Sequence, residues 1–377
     1  MMMKDKRKYS IFIGSKLYFN KKLEELSVDT SGYSFVELVK LSDRANSEKV
    51  NFKFQQDLLI IKNDNYHAIV EAAIDRLGTI IEEFTYKHSK IYIHNPPRCL
   101  YEYLQKQKNQ ELIEFYVEKE VYSINKKENE FKTKINTISQ NIIGQNNAIN
   151  EISKSLWYLT KTNRQIPYVV MLYGKSSIGK TELVREISRN FFDNKFLEKH
   201  LSMFKNSQNI DYLFGGASNR KSLSYDLLER ESNLIFLDEF DKCDPSFYSV
   251  FYTLFDNEIF KDVNYDVNIS GTLILLTANY SSLEEVKKHL GLPIFYRIDK
   301  FIKFEDFTSD TIYSVVKKEI SSRKKELGDI LDEELIYWRV STIINTRGEN
   351  ARTIKYKVQQ VIEDFLFESV KNCTTDN

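Results

Sequence analysis

The stretch GKSSIGKT, from Gly174 to Thr181, sets two glycines, a lysine and a hydroxyl residue in the pattern G-x-x-x-x-G-K-[ST]. Such a loop cradles phosphates when a buried strand precedes it and a helix follows. Both neighbours are readable: IPYVVMLY is a nearly continuous apolar run, and TELVREISRNFF carries Leu183, Val184, Ile187 and Phe191 at helical spacing. Gly174 and Gly179 let backbone amides close around an anion, and the helix that starts beyond them turns its positive end toward it. Lys180 has the reach for the β- and γ-phosphates of a nucleoside triphosphate, and the Thr181 hydroxyl suits Mg²⁺. Ser176, Ser177, Ile178 and Glu182 complete the candidate ATP-binding segment.

Two further strand ends offer what hydrolysis would need. NLIFLDEF runs apolar into Asp238 and Glu239, and a buried strand cannot hide two acids in a core without partners. Asp238 suits the shell of the metal, and Glu239 suits orienting and deprotonating an attacking water. Capping the following helix is the plainer use of Asp238. LILLTAN brings a third strand to Asn279, which either aligns that water or starts a turn.

Holding these residues together requires a parallel α/β sheet, because short continuous apolar runs suit strands buried on both faces. From about residue 305 onward only helical periodicity is visible, as in Ile312, Val315, Val316 and Ile320, then Val358, Val361, Ile362 and Phe365. Residues 50–122 alternate instead. DLLII, KIYIH and LIEFYVEKEVYSI read as strands, Ile69 to Phe84 as one helical face, and NPPR as a turn that opens a helix near residue 98. The expected organisation is a small α/β or α+β recognition domain over 1–130, a large nucleotide-binding domain over 131–305 and a helical lid over 306–377. The charged stretch EKEVYSINKKENEFKTK, a linker or a solvated helix, holds the first boundary.

With 42% apolar residues, this 377-residue chain can bury real cores. Its 54 basic and 54 acidic side chains balance, so no global field draws it to nucleic acid or an anionic membrane. Cys99, Cys243 and Cys373 form no CxxC pair, which argues against a disulfide framework or zinc site and fits a reducing compartment. His67, His88, His94, His200 and His289 show no metal-ligand spacing. The basic start is followed by an apolar run that Lys16 cuts short, so no signal peptide is expected. No run of about 18 uninterrupted apolar residues exists to cross a membrane, and a cytoplasmic protein is the expectation.

Taken in order and approximate spacing, IIGQNNAI, GKSSIGKT, LIFLDEFDKCDPSFYSVFYTLFD, LILLTAN, LPIFYRIDKFIKFEDF and NARTI resemble the Clp-type AAA+ ATPases over about residues 135–377. The resemblance implies a P-loop AAA+ module, a parallel sheet flanked by helices with a C-terminal helical lid, and assembly into a homo-oligomeric, hexameric ring. It implies that Ile142, Ile143 and Gly144 flank the adenine, and that Gly179, Lys180 and Thr181 hold phosphates and metal. Asp238 and Glu239 stand at its Walker B pair, Asn279 at sensor 1 and Arg352 at sensor 2. Arg297 stands at the arginine finger, which reaches into a neighbouring subunit's site. One stretch departs from the family. LFGGASNRKSLSYDLLERESN is shorter than the aromatic-glycine loop that grips polypeptide in the unfoldases, and it puts Asn219, Arg220 and Lys221 where the aromatic grip should be. Tyr225, the nearest aromatic, reads as the start of the next helix. The basic loop is a contact for an acidic or nucleic-acid partner, or a solvated turn. Two functions follow as expectations: ATP-driven remodelling of a protein partner recognised by the N-terminal domain, or an ATP-gated oligomeric switch that recruits a partner without threading it. A DNA-associated loader is disfavoured by the neutral charge.

Overall fold

The structure, a computed structural model, describes residues 6–47, 55–122, 128–204, 210–216 and 220–374. The N-terminal part builds β1 (Lys8–Ile13), α1 (Lys16–Glu25), α2 (Phe35–Ser47), β2 (Gln56–Ile61), α3 (Glu71–Ile74), α4 (Leu77–Glu83), β3 (Thr85–His94), α5 (Arg98–Asn109) and β4 (Glu114–Lys119). Its four strands form a parallel sheet in the order β2-β3-β1-β4. One of its two interior strands, β1, falls in the segment whose sequence reads only as a possible leader. Tyr9 and Ile11 enter the cluster around Leu59, Ile61, Ile91 and Ile93, while Phe12 packs with Phe19 and Leu23.

The single helix expected from Ile69 to Phe84 is corrected: Ile69 and Val70 are extended, and the helical turns are the separate α3 and α4. Two adjacent β-branched residues, stiff at χ1, favour that extended entry. The apolar face still reaches the core, since Ile69, Ile74, Leu77, Ile81 and Phe84 are buried, but Val70 is exposed.

The second part comprises α6 (Glu128–Asn141), α7 (Asn146–Lys161), β5 (Tyr168–Tyr173), α8 (Lys180–Phe191), β6 (Leu197–His200), α9 (Ile210–Phe214), α10 (Leu223–Leu228), β7 (Leu234–Asp238), α11 (Tyr248–Asp256), the hairpin β8 (Ile259–Lys261) and β9 (Asp266–Asn268), β10 (Leu273–Ala278), α12 (Leu283–Phe295) and β11 (Lys300–Lys303). The five strands β11-β5-β10-β7-β6 run parallel. Their continuous apolar runs divide by pleat. Val169, Met171, Ile235, Leu237, Ile274 and Leu276 face one core, and Val170, Leu172, Leu234, Phe236, Leu273 and Leu275 face the other. Three helices follow, α13 (Ser309–Leu327), α14 (Glu333–Ile343) and α15 (Ala351–Thr374), packed around Ile312, Val316, Ile336, Val340, Ile354 and Val358. The side chains of Thr308 and Asp332 cap α13 and α14.

The N-terminal sheet docks on the second part by its carboxyl edge. Glu229, just past α10, accepts from Lys16 N at 2.9 Å, Asn63 Nδ2 at 2.6 Å and Asn95 Nδ2 at 3.1 Å. Arg98 donates to the Asp262 and Tyr265 carbonyls at 2.6 and 3.1 Å and pairs with Asp266 beside the β8–β9 hairpin. In the charged stretch expected to be a linker or helix, Glu118 and Lys119 end β4 and Glu128 opens α6. Between them, residues 123–127 lie outside the described residues. Among the described residues no helix is long and apolar enough to cross a membrane. Cys99 and Cys243 are free thiols, and the Cys373 side chain lies outside the described set.

Candidate nucleotide site

Strand register brings three chain ends level. Ala278 on β10 pairs with Tyr173 on β5, and Leu276 pairs with Leu237 on β7. Gly174, Asp238 and Asn279 therefore emerge side by side at the carboxyl edge of the sheet, where open parallel sheets take ligands. Gly174 adopts φ +146°, and a Cβ there would stand 2.6 Å from the Phe304 carbonyl oxygen. The position excludes a side chain, so the loop lies close against the chain leaving β11.

Lys180 opens α8 and turns back over the loop. Its Nζ donates to the Gly174 and Lys175 carbonyls at 2.7 and 2.6 Å and to Asn279 Oδ1 at 3.0 Å. Burial pulls its pKa down to about 8, against the opposing charges of Asp241 and Asp238. The Asp241 side chain is nearly buried, with Oδ1 lacking a hydrogen-bond partner and the other oxygen 3.2 Å from Lys242 Nζ.

Thr277 joins the two acids. Its hydroxyl donates to Asp238 Oδ1 and its oxygen accepts from Glu239 N at 3.0 Å. Glu239 sits at φ +54°, ψ +46°, a left-handed conformation that a non-glycine residue keeps only when its surroundings enforce it.

A cleft of about 540 Å³ gathers Ser176, Ser177, Gly179, Lys180, Thr181, Glu182, Arg185, Asp238, Glu239, Thr277, Asn279, Ala351, Arg352 and Lys355. The helical part closes one side of it: Ala351 N, at the start of α15, donates to Ser177 O at 2.9 Å. Ile142, Ile143 and Gly144 do not line this cleft. Ile142 is buried in the core with Ile138 and Ile178, and a Cβ on Gly144, at φ +75°, would meet Thr311 Cγ2 of α13 at 2.4 Å. The adjoining Gln145 links that turn to the phosphate loop, donating to Ile178 O at 3.3 Å and Glu305 O at 2.9 Å and accepting from Glu305 N at 3.1 Å. Arg297 lies apart from the cleft, with its guanidinium on Asp256 at 2.6 Å and over the Tyr252 ring at 4.4 Å.

Residues 166–336 match the family model described as AAA domain (Cdc48 subfamily). Those residues carry an AAA domain. Similar curated proteins include "Chaperone protein ClpB" of Malacoplasma penetrans, 24% identical over 263 residues, covering 62% of this chain and 37% of the relative. Another is "ATP-dependent Clp protease ATP-binding subunit ClpC" of Staphylococcus epidermidis, 22% identical over 278 residues, covering 62% and 34%. The chain thus matches little more than a third of those relatives' length. A nucleotide is the ligand such a module takes.

Sequence reasoning about the AAA+ module passed over three residues: Thr277, Gln145 and Asp241. A signal was present for two of them. Thr277 is the single hydroxyl within a strand otherwise buried on both faces, and Asp241 is a third acid within LDEFDK. In the departing loop, Asn219 lies outside the described residues. Arg220 pairs with Asp211 at 3.0 Å, and Lys221 Nζ lies 4.8 Å over the Tyr225 ring. Tyr225 is helical and buried, with its hydroxyl donating to Asp64 of the N-terminal sheet unit.

Proposed function

We propose that this chain is a subunit of a homo-oligomeric, hexameric ring that hydrolyses ATP to remodel a protein partner recognised by its N-terminal unit. The observation that carries the reading is the one cleft shared by the phosphate loop, Asp238, Glu239, Asn279 and Arg352. Lys180 would donate to the β- and γ-phosphates, with loop amides at Ser176 to Thr181 completing the cradle, and Arg352 would meet the γ-phosphate from the helical side. Thr181 and Asp238 both open on the cleft, and a hydroxyl with a carboxylate is a hard oxygen set that fits Mg²⁺. When bound, that ion supplies neutralisation of phosphate charge. Glu239 would take the proton of the attacking water while Asn279 holds its position. Ile142, Ile143 and Gly144 lie off the phosphate cleft and would border the adenine from beside it, through the turn that Gln145 ties to Ile178 and Glu305.

Arg297, off its own subunit's cleft, would complete the neighbour's, neutralising charge on the transferred phosphoryl. The Ala351–Ser177 hydrogen bond ties α15 to the phosphate loop, and Thr311 of α13 packs against Gly144 with no room for a side chain between them. A change at the phosphates would therefore tilt the helical part against the sheet of the same chain, and a ring would pass that tilt on as a change of angle between subunits, able to do work.

One observation favours a second reading, an ATP-gated switch that recruits its partner without threading. Tyr225, the aromatic nearest the altered loop, is engaged by Asp64 and not presented to a polypeptide. Glu239→Gln separates the two: retained biological function in that non-hydrolysing form supports the switch, and its loss supports the motor. For the shared site, turnover per subunit should rise with protein concentration, and Arg297→Ala should lower it at least about a hundredfold. Undiminished turnover in Arg297→Ala removes the role assigned to that residue.

A further inference from the structure

The outer strand β6 pairs with β7 so that His200 stands opposite Asp238. Glu198, two residues earlier on β6, projects from the same face as His200. One donor atom from each of Glu198, His200 and Asp238 lies within 4.8 Å of the other two. His200 Nδ1 is 3.4 Å from Asp238 Oδ2, and Nε2 is 3.6 Å from Glu198 Oε1. Glu198 Oε1 is sealed from solvent and accepts no hydrogen bond, a costly condition for a carboxylate oxygen. Asp238 divides its two oxygens: Oδ1 receives the Thr277 hydroxyl, and Oδ2 turns away toward His200.

We propose that Glu198, His200 and Asp238 form a binding site for a divalent transition-metal ion of the Zn²⁺, Co²⁺ or Mn²⁺ class. An imidazole nitrogen with two carboxylate oxygens suits such ions, whereas Mg²⁺ prefers oxygen alone. Only one ring nitrogen of His200 can ligate, and it lies within 4.8 Å of an oxygen of each carboxylate; bonds of about 2.0–2.2 Å put neighbouring donors roughly 3–4 Å apart, so side-chain rotation must draw the three together onto one ion. The His200 side chain is 49% exposed and free to rotate. Sequence spacing could not reveal the set, because Asp238 joins it only through strand pairing. The site shares Asp238 with the nucleotide cleft, so ion and ATP occupancy are coupled. That coupling rests on the proposed ATP reading, whereas the site itself does not.

The test uses the full chain without nucleotide. Zn²⁺ is titrated by calorimetry in excess Mg²⁺, and Co²⁺ is followed by visible absorption, for wild type, His200→Ala and Glu198→Gln, each checked for folding by circular dichroism. One ion per chain is expected, with affinity at least about tenfold weaker in both variants and the Co²⁺ band altered in His200→Ala. No ion taken up by wild type, or either folded variant binding as wild type does, overturns the three-residue site. ATP affinity, measured separately on the same samples, distinguishes failure of the metal site from failure of the nucleotide reading.

Discussion

Replacing Thr277 by Val keeps the volume and branching of a buried strand residue while removing the one hydroxyl that touches both acids of the cleft. Two partners are lost: the donor to Asp238 Oδ1, and the acceptor for Glu239 N at 3.0 Å. An unmade hydrogen bond of this kind costs about 1–3 kcal/mol. Water entering the open cleft replaces part of it, which leaves about 1–2 kcal/mol and a melting temperature lower by roughly 2–8 °C. Turnover suffers more than stability. Glu239 is held at φ +54°, and such a conformation relaxes readily once its anchor goes. If Glu239 then spends a tenth to a hundredth of its time poised, turnover falls about ten- to a hundredfold, or 1.4–2.8 kcal/mol. The assay is phosphate release at saturating ATP, with ATP affinity and melting temperature measured alongside and Thr277→Ser as the rescue. ATP affinity should stay within about threefold, and Ser should restore turnover. A Thr277→Val protein that melts earlier yet turns over within about twofold of wild type would show that the hydroxyl supports the strand and does not position Glu239.

Protonation of Lys180 makes ATP affinity depend on pH. Its pKa in the free protein is about 8, and phosphate favours the ammonium form, so binding takes up a proton above that pH. The dissociation constant should be flat below pH 8 and rise by up to about tenfold per unit above it; a flat profile to pH 9.5 contradicts this. The sign for folding is opposite. The folded pKa lies below the ordinary 10.5, so the penalty of burying the charge is full below pH 8 and fades as pH rises toward 10.5. Lys180→Met should remove both dependences. Gly174→Ala should destabilise the chain by about 2–4 kcal/mol in denaturant unfolding, because φ +146° disfavours a side chain and the obstacle at 2.6 Å is a backbone carbonyl. Stability within about 0.5 kcal/mol of wild type would refute that steric account.

Motif residues of the cleft are readable in sequence because the strands carrying them are buried on both faces, leaving continuous apolar runs that stop abruptly at polar chemistry. The same physics holds at β1, but there the run is brief and follows a basic head, so a leader competes with a strand as its explanation. Between Ile69 and Phe84, apolar spacing reports which face is buried and not whether the backbone between buried points stays helical. Gln145 and His200 are silent, and the lone hydroxyl of Thr277 marks a position without saying what it does, for another reason: their meaning lies in partners distant in sequence. Thr277 serves Glu239, 38 residues back, and Gln145 serves Glu305, 160 residues on.

Glu229 has a further consequence for recognition. It occupies the crevice at the carboxyl ends of β1, β2 and β3, held there by Lys16, Asn63 and Asn95, which is where an open parallel sheet would receive a ligand. The N-terminal unit is thus already satisfied by a side chain of its own polypeptide. A partner seeking that crevice enters a competition, and its apparent affinity is reduced in proportion to the fraction of molecules in which Glu229 has let go. Under the proposed reading, selectivity would be set by what can evict Glu229 as much as by what can fit the crevice.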